Sequence, residues 1–317
     1  MDAVLRLELP TPYPVGTVNA WWLDGPEPVL IDTGVPTRAN LEILEAALAV
    51  HGRSLGDVRR ILLTHDHADH AGAASAVARR SGAPVHMHAR GRLGPRWKPE
   101  EIQALARFLL RCGMPADVLA GAGEALRRDA RYADADPVVP EPLWGGEILD
   151  SPLGPLTVLA TPGHSHDHLS YLAIDAGLLF CGDTLLPYIT PNPILHLDPD
   201  AGFRRVPSLL QHLESLRTLA ALPVRRAHPG HGPDLLDVAG RVAHDLAFVQ
   251  ARQGVFLAAI RRGADTPWSL AQAVFGDQDP TGRFLAVSET VAYLDLLERD
   301  AGLDVRWEAD PIRVGRT

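Results

Sequence analysis

Residues 58–70 read VRRILLTHDHADH, an apolar run that ends in a turn crowded with three histidines and two aspartates. A short apolar run bounded by polar residues marks a buried strand, and the alanine-rich AGAASAVARRSG (71–82) that follows reads as a helix. The turn therefore sits where a strand hands over to a helix. His65 and His67, two apart on extended chain, project to one side, while Asp69 and His70 curl toward the opposite side of a shared pocket. Imidazole nitrogens and carboxylate oxygens suit zinc or iron, and a set without cysteine is not that of a closed structural zinc site. Such a turn can feed two metals.

Working outward, TVNAWWL (17–23) and PVLID (28–32) read as strands, TRANLEILEAALAVHG (37–52) as a helix closed by Gly52, and PVHMHA (84–89) as another short strand. Residues 90 to about 146 change character, with helical periodicity in EEIQALARFLLRCG (100–113) and ADVLAGAGEALRRDA (116–130) and then a proline-rich stretch, DADPVVPEPLWGG (134–146). This segment is expected to be a helical insertion. Strands return with PLTVLA (155–160), LSYLAI (169–174) and LLFCG (178–182); after a proline-rich loop (185–200) come a helix near 205–221 and the strand VRRAH (224–228). From about 238 the pattern is helix, helix, helix and a small hairpin, the order of a winged-helix unit. The fold class is α/β, with residues 1–237 as one domain and 238–317 as a small, mostly helical second one.

Three downstream loops repeat the character of the first turn. TPGHSHDH (161–168), CGDT (181–184) and HPGHG (228–232) each follow an apolar strand and each offer a ligand beside a glycine. Loops at strand ends are where distant residues converge in layered α/β sheets, so His164, Asp183 and His231 can join His65, His67, Asp69 and His70 in one site of seven ligands. Asp32, in IDTG at a strand end, is the acid best placed to orient a histidine ligand. His166 is expected at the surface, and His86 and His88 on one face of their strand. Tyr188 and His196, flanking ITPNP after Asp183, are candidates for the substrate pocket, and Arg107 with Arg111 at helical spacing for a solvated helix face.

Composition narrows the functions. The chain has 317 residues, 46% hydrophobic and 22% charged, with a net charge of -9 that gives no global attraction to nucleic acid or anionic lipid. Lys98 is the only lysine, which leaves Schiff-base chemistry almost no place. Two distant cysteines, Cys112 and Cys181, make no disulfide framework, and MDAVLRLELP lacks the pattern of a secretory leader. These features predict a cytoplasmic protein that spans no membrane. No serine sits in a G-x-S-x-G elbow, and no glycine-rich loop has the full spacing of a dinucleotide site.

Over roughly residues 15–235 the motifs, from the HxHxDH turn through His164 and Asp183 to His231, resemble those of the metallo-β-lactamase superfamily. The resemblance implies an αββα sandwich carrying His65, His67 and His164 on one metal, Asp69, His70 and His231 on the other, and Asp183 bridging; His168, four residues after His164, stands where such families often keep a structural histidine and is expected to be a buried hydrogen-bonding residue. The set looks like the glyoxalase II type: Asp183 stands where zinc β-lactamases keep a cysteine, and His67 where flavodiiron proteins keep a glutamate. Two divalent ions, zinc first with iron or manganese as alternatives, would supply a bridging hydroxide to a small ester-like substrate such as a thioester, a lactone or a related acyl compound. Asp69 would be both ligand and catalytic residue, orienting that hydroxide or shuttling its proton. Two other readings follow from the same resemblance: a nuclease or nucleic-acid-binding member, suggested by the winged-helix-like tail but opposed by its slight excess of acids, and a mononuclear iron persulfide dioxygenase. The expected partner is a small molecule, with nucleic acid disfavoured and a homo-oligomer allowed.

Overall fold

The computed structural model describes residues 3–94, 98–121, 130–132 and 136–315. These condense into two compact units, one of residues 3–94, 130–132, 136–191 and 215–242, the other of 98–121, 192–214 and 243–315.

The first unit is the sandwich. Strands β1 (Val4–Leu9), β2 (Val18–Leu23), β3 (Val29–Ile31), β4 (Arg60–Leu62), β5 (Val85–His88) and β6 (Glu141–Leu143) form one sheet in that order. Its first three strands run antiparallel and β3 to β6 parallel. The second sheet runs β13–β10–β9–β8–β7, from β7 (Ile148–Leu149), β8 (Leu156–Ala160), β9 (Leu169–Ala173), β10 (Leu178–Gly182) and β13 (Arg226–Pro229). Between β10 and β13 in sequence lie the two-residue strands β11 (Leu197–Asp198) and β12 (Arg204–Arg205), which pair with each other in the second unit.

The period-2 alternation of strand side chains sorts the sandwich into layers. Trp21, Leu23, Val29, Ile31 and Leu62 point inward and meet Leu156, Val158, Leu169, Tyr171 and Phe180 of the opposing sheet. Their neighbours Ala20, Trp22, Leu30 and Ile61 point outward, onto Leu44 and Leu48 of α1 (Arg38–Ala49) and Ala74, Val77 and Ala78 of α3 (Ala74–Ser81). Between those helices lies the single turn α2 (Ala68–Ala71). Because both faces of this sheet are covered, all six residues of β2 are buried, which explains why TVNAWWL is an apolar run and not an alternating one. Thr37 caps α1 by accepting from the Asn40 N–H, and Gly82 closes α3 in the left-handed region. The N-terminal strand β1, whose alternating VLRLEL pairs with all of β2, was not anticipated from the sequence.

The expected insertion is divided between the units. Strand β6 extends the first sheet, whereas α4 (Pro99–Arg111) places Leu105 and Leu109 in the core of the second unit with Phe256, Leu270, Tyr293 and Leu294. The helix expected over 116–130 and the proline-rich stretch from 134 lie partly outside the described residues. The expected helix near 205–221 is α5 (Ser208–Ala220). The C-terminal order is the expected one: α6 (Val238–Arg261), α7 (Pro267–Phe275), α8 (Pro280–Ala301) and a hairpin of β14 (Val305–Arg306) with β15 (Arg313–Val314). Arg111, expected on a solvated face, is half-buried and donates to the Trp307 carbonyl, while Arg107 is exposed. Among the described residues no helix is long and apolar enough to cross a membrane.

Among the side-chain hydrogen bonds that tie the two sheets, the fully buried Tyr171 hydroxyl on β9 donates to the Leu63 carbonyl, just past β4, at 2.6 Å. Tyr171→Phe is expected to leave that acceptor with one partner fewer and to cost about 1–2 kcal/mol. The denaturation midpoint should fall with an unchanged slope; a midpoint equal to wild type would show that the bond contributes nothing.

Candidate metal centre

Strand direction brings the motif loops together. Strands β3 and β4 are parallel, so Asp32 and the 64–70 turn leave the first sheet at the same edge, and antiparallel β2 starts beside them. In the second sheet β9 runs antiparallel to both β8 and β10, and β13 parallel to β10, so His164, Asp183 and His231 all follow strand ends on one side. The residues read from the sequence as ligands meet there in three overlapping groups: His65, His67 and His164; His65, His70 and Asp183; and Asp69, His70 and His231. Within each group the ligand atoms lie within 4.8 Å of one another, and every one of these side chains is buried.

The spacings fit shared ions. His164 Nε2 lies 3.1 Å from His67 Nδ1 and 3.6 Å from Asp183 Oδ2. Asp183 Oδ1 is 3.4 Å from His70 Nε2, and Oδ2 is 3.4 Å from His231 Nε2, which in turn is 3.6 Å from Asp69 Oδ2. Two nitrogens on a tetrahedral zinc at its usual bond length stand about 3.3 Å apart, so the set is at coordination spacing. His65 Nε2 is buried and makes no hydrogen bond within the described protein, as expected of an atom that serves a metal. The donor set and its geometry fit metal binding.

Three of the histidines are held from behind. His70 Nδ1 bonds Asp32 Oδ2 at 2.8 Å, His231 Nδ1 bonds the Thr17 carbonyl at 2.7 Å, and His65 Nδ1 lies 3.0 Å from the Thr64 hydroxyl. Asp32 also accepts from the Thr64 N–H and hydroxyl, both at 2.8 Å. It does so with φ of 58°, a left-handed conformation that aspartate tolerates better than most residues and that signals a functional constraint. His168 is buried, as expected: its Nε2 accepts from the Asp183 N–H at 3.0 Å, so its proton is on Nδ1, beside the hydroxyls of Thr161 and Thr184. It positions the backbone of Asp183, and both of its ring nitrogens are engaged by protein groups.

Charge follows the same geometry. Burial pushes His65 well below the usual imidazole range, and the neighbouring His70 and His67 push it the same way. Burial works against charge on His70 too, but Asp183, Asp32 and Asp69 overcome it and raise His70 well above that range. Burial likewise opposes ionisation of Asp183, yet His70 and His231 hold its carboxyl well below the usual carboxylate range. Asp69 is pushed up, chiefly by burial.

Other expectations fare differently. Tyr188 is 76% exposed, next to the His231 loop, where a Cβ on Gly232 would lie 3.4 Å from its ring. His196 belongs to the second unit, where its carbonyl accepts from the Val206 N–H. His166, expected at the surface, is half-buried with Nε2 3.3 Å from the Arg90 carbonyl. His86 and His88, expected to decorate a strand face, are buried, His86 beside Glu141 and His88 against Trp144. The sequence reading missed Asn19, whose buried amide donates to the Pro229 and Gly232 carbonyls on either side of His231. The signal was available: Asn19 is the one amide in the apolar run TVNAWWL, and a buried polar side chain requires partners. It also passed over Gly230, where a Cβ would meet Asp183 Oδ1 at 2.2 Å and His70 Cε1 at 2.6 Å.

The sequence model of the metallo-beta-lactamase superfamily matches residues 13–231. Probable metallo-hydrolase YqjP of Bacillus subtilis (strain 168) is 29% identical, over 98% of this chain and 97% of that protein. The atrochrysone carboxyl ACP thioesterase of Aspergillus fumigatus is 27% identical, over 83% of this chain and 70% of that protein. Among solved structures, the metallo-beta-lactamase family protein TTHA1429 from Thermus thermophilus superposes with a TM-score of 0.84 at 32% identity, covering 100% of this chain and 99% of that one.

Asp32→Asn keeps the shape and the left-handed backbone but can place an amide N–H against the His70 Nδ1–H. Zinc affinity, measured by chelator competition, is expected to fall about 10–100-fold; wild-type affinity would remove Asp32 from the support of His70.

Proposed function

The chain belongs to the metallo-beta-lactamase superfamily, and as a hydrolase of that superfamily we propose that it uses two divalent metal ions to cleave a small ester-like substrate: a thioester, a lactone or a related acyl compound. The observation that carries this reading is Asp183, whose two oxygens face different histidines, Oδ1 toward His70 and Oδ2 toward His164 and His231. On this reading His65, His67 and His164 hold one ion, Asp69, His70 and His231 hold the other, and Asp183 is shared. The nitrogen- and oxygen-only ligand set suits zinc, with iron and manganese as the competing metals. Bound there, such ions supply Lewis acidity toward an acyl oxygen and hydroxide near neutral pH.

The protein's own part is orientation and proton handling. Asp32, the Thr17 carbonyl and Thr64 turn the metal-facing nitrogens of His70, His231 and His65 into the cluster, and His168 fixes the peptide that carries Asp183. Asp69, whose Oδ2 lies 3.6 Å from His231 Nε2, is the group we assign to hold and return a proton during acyl cleavage. A cysteine nucleophile is disfavoured: Cys112 and Cys181 are buried, and burial pushes the Cys112 thiol to about 12 and the Cys181 thiol up as well. Tyr188, exposed beside the His231 loop, is the residue we assign to the substrate's approach.

The thioesterase relative supports the acyl class, and the net charge of -9 opposes a nucleic-acid substrate, even with a winged-helix-like order after residue 238. Two free, buried cysteines agree with a reducing cytoplasm.

Elemental analysis of purified protein is expected to give about two zinc per chain, with metal-dependent cleavage confined to the acyl members of a panel of thioester, lactone, phosphodiester and RNA substrates. Asp183→Asn should lower kcat/KM more than about 100-fold and reduce the metal content. One iron per chain with oxygen uptake on a persulfide and no hydrolysis would overturn the proposal.

A further inference from the structure

The hydroxyl of Thr64 touches one half of the candidate centre directly and reaches the other through Asp32. Its Oγ1 lies 2.8 Å from Asp32 Oδ2 and 3.0 Å from His65 Nδ1, and the same Asp32 oxygen is 2.8 Å from His70 Nδ1. Resting on the binuclear reading above, we propose that Thr64 is a positioning residue that couples the two metal-binding halves by fixing the tautomers of His65 and His70 through one shared carboxylate.

The argument is a count of protons. A carboxylate oxygen only accepts, so the single hydroxyl proton of Thr64 goes to Asp32. The hydroxyl then has only lone pairs to offer His65, so His65 must carry its proton on Nδ1, which leaves a lone pair on the buried Nε2. His70 Nδ1, facing the same carboxylate, must also be a donor, which leaves Nε2, 3.4 Å from Asp183 Oδ1, as the nitrogen on the side of the centre. One oxygen of Asp32 therefore sets His70 directly and His65 through one hydroxyl.

Thr64 is held so that it can do little else. It is buried, its N–H donates to Asp32 Oδ1 at 2.8 Å, and its carbonyl accepts from Leu169 N–H of the opposite sheet at 2.7 Å. Branching at Cβ restricts its rotamer further. Across from it, a Cβ on Gly182 would sit 2.8 Å from Thr64 Cβ and 2.9 Å from Oγ1, and only the absence of a side chain there makes room for the hydroxyl.

Thr64→Val keeps the shape and removes the relay: the His65 Nδ1–H loses its acceptor and Asp32 loses one donor. The test is zinc uptake across buffered free-zinc concentrations, read by elemental analysis, with the visible spectrum of the cobalt-loaded protein as a second readout of coordination. In Thr64→Val both uptake steps are expected to shift together to about 10–100-fold higher free zinc, with an altered cobalt spectrum. Thr64→Ser, which restores the hydroxyl without the methyl, should return both steps to within a few-fold of wild type. Should the valine variant not fold, Thr64→Ala makes the same deletion and carries the same expectation. Wild-type uptake in a folded valine or alanine variant overturns the proposal, as does a shift in one step alone or a serine variant that behaves like valine. Wild-type protein that never takes up more than one ion overturns the binuclear reading instead, and shows it before any variant is made.

Discussion

The first unit is organised around the cost of burying ligands. Five histidines and two aspartates converge within a few ångströms, with His70 fully buried and His65 only 1% exposed, and polar groups withdrawn from water must find partners or shift their ionisation. The arrangement meets that requirement by interleaving carboxylates with imidazoles. His70 sits among Asp32, Asp69 and Asp183, and Asp183 among His70, His164 and His231, so each carboxylate has imidazole nitrogens against it.

Holding such a set in place takes a framework that reaches it from every side. The two sheets supply it, since the loops that bear the ligands are bonded to one another as well as to their own strands. Thr33 N–H donates to the His70 carbonyl, Leu169 N–H to Thr64, Gly230 N–H to Gly182 and Asn19 N–H to Gly230. A side chain at Gly230 would overlap the ligands themselves, so the glycine of HPGHG permits the closest approach in the site. Rigid supporting contacts of this kind keep metal-facing nitrogens within coordination range.

The site was more legible than its support. Each ligand stood at the end of an apolar strand beside a glycine or in the polar turn that follows one, a pattern that survives in one dimension because strand ends converge in layered sheets. Asp32 was legible as a partner for the same reason, and His168 through the family resemblance. Asn19 and Thr64 were not, because one looks like a blemish in a buried strand and the other like the last residue of one; their importance lies in atoms contributed by residues more than thirty positions away, such as Asp32 for Thr64 and Pro229 for Asn19. Strand β1 and the edge strands β6 and β7 were passed over because short or half-exposed runs carry a weak periodic signal.

The linear order of residues was enough to mark a layered α/β chain, the residues of its candidate metal-binding turn and the class of chemistry those residues allow, because hydrophobic periodicity and ligand type are local properties of the chain; the sandwich itself was implied by the resemblance of the motifs to a known superfamily. It could not say which nitrogen of each histidine faces the centre, that α4 shares a core with the C-terminal helices, or that His86 and His88 are buried. Those facts depend on which distant groups meet across the fold. A histidine's tautomer is chosen by its hydrogen-bond partner, and a helix's burial by the surface it packs against.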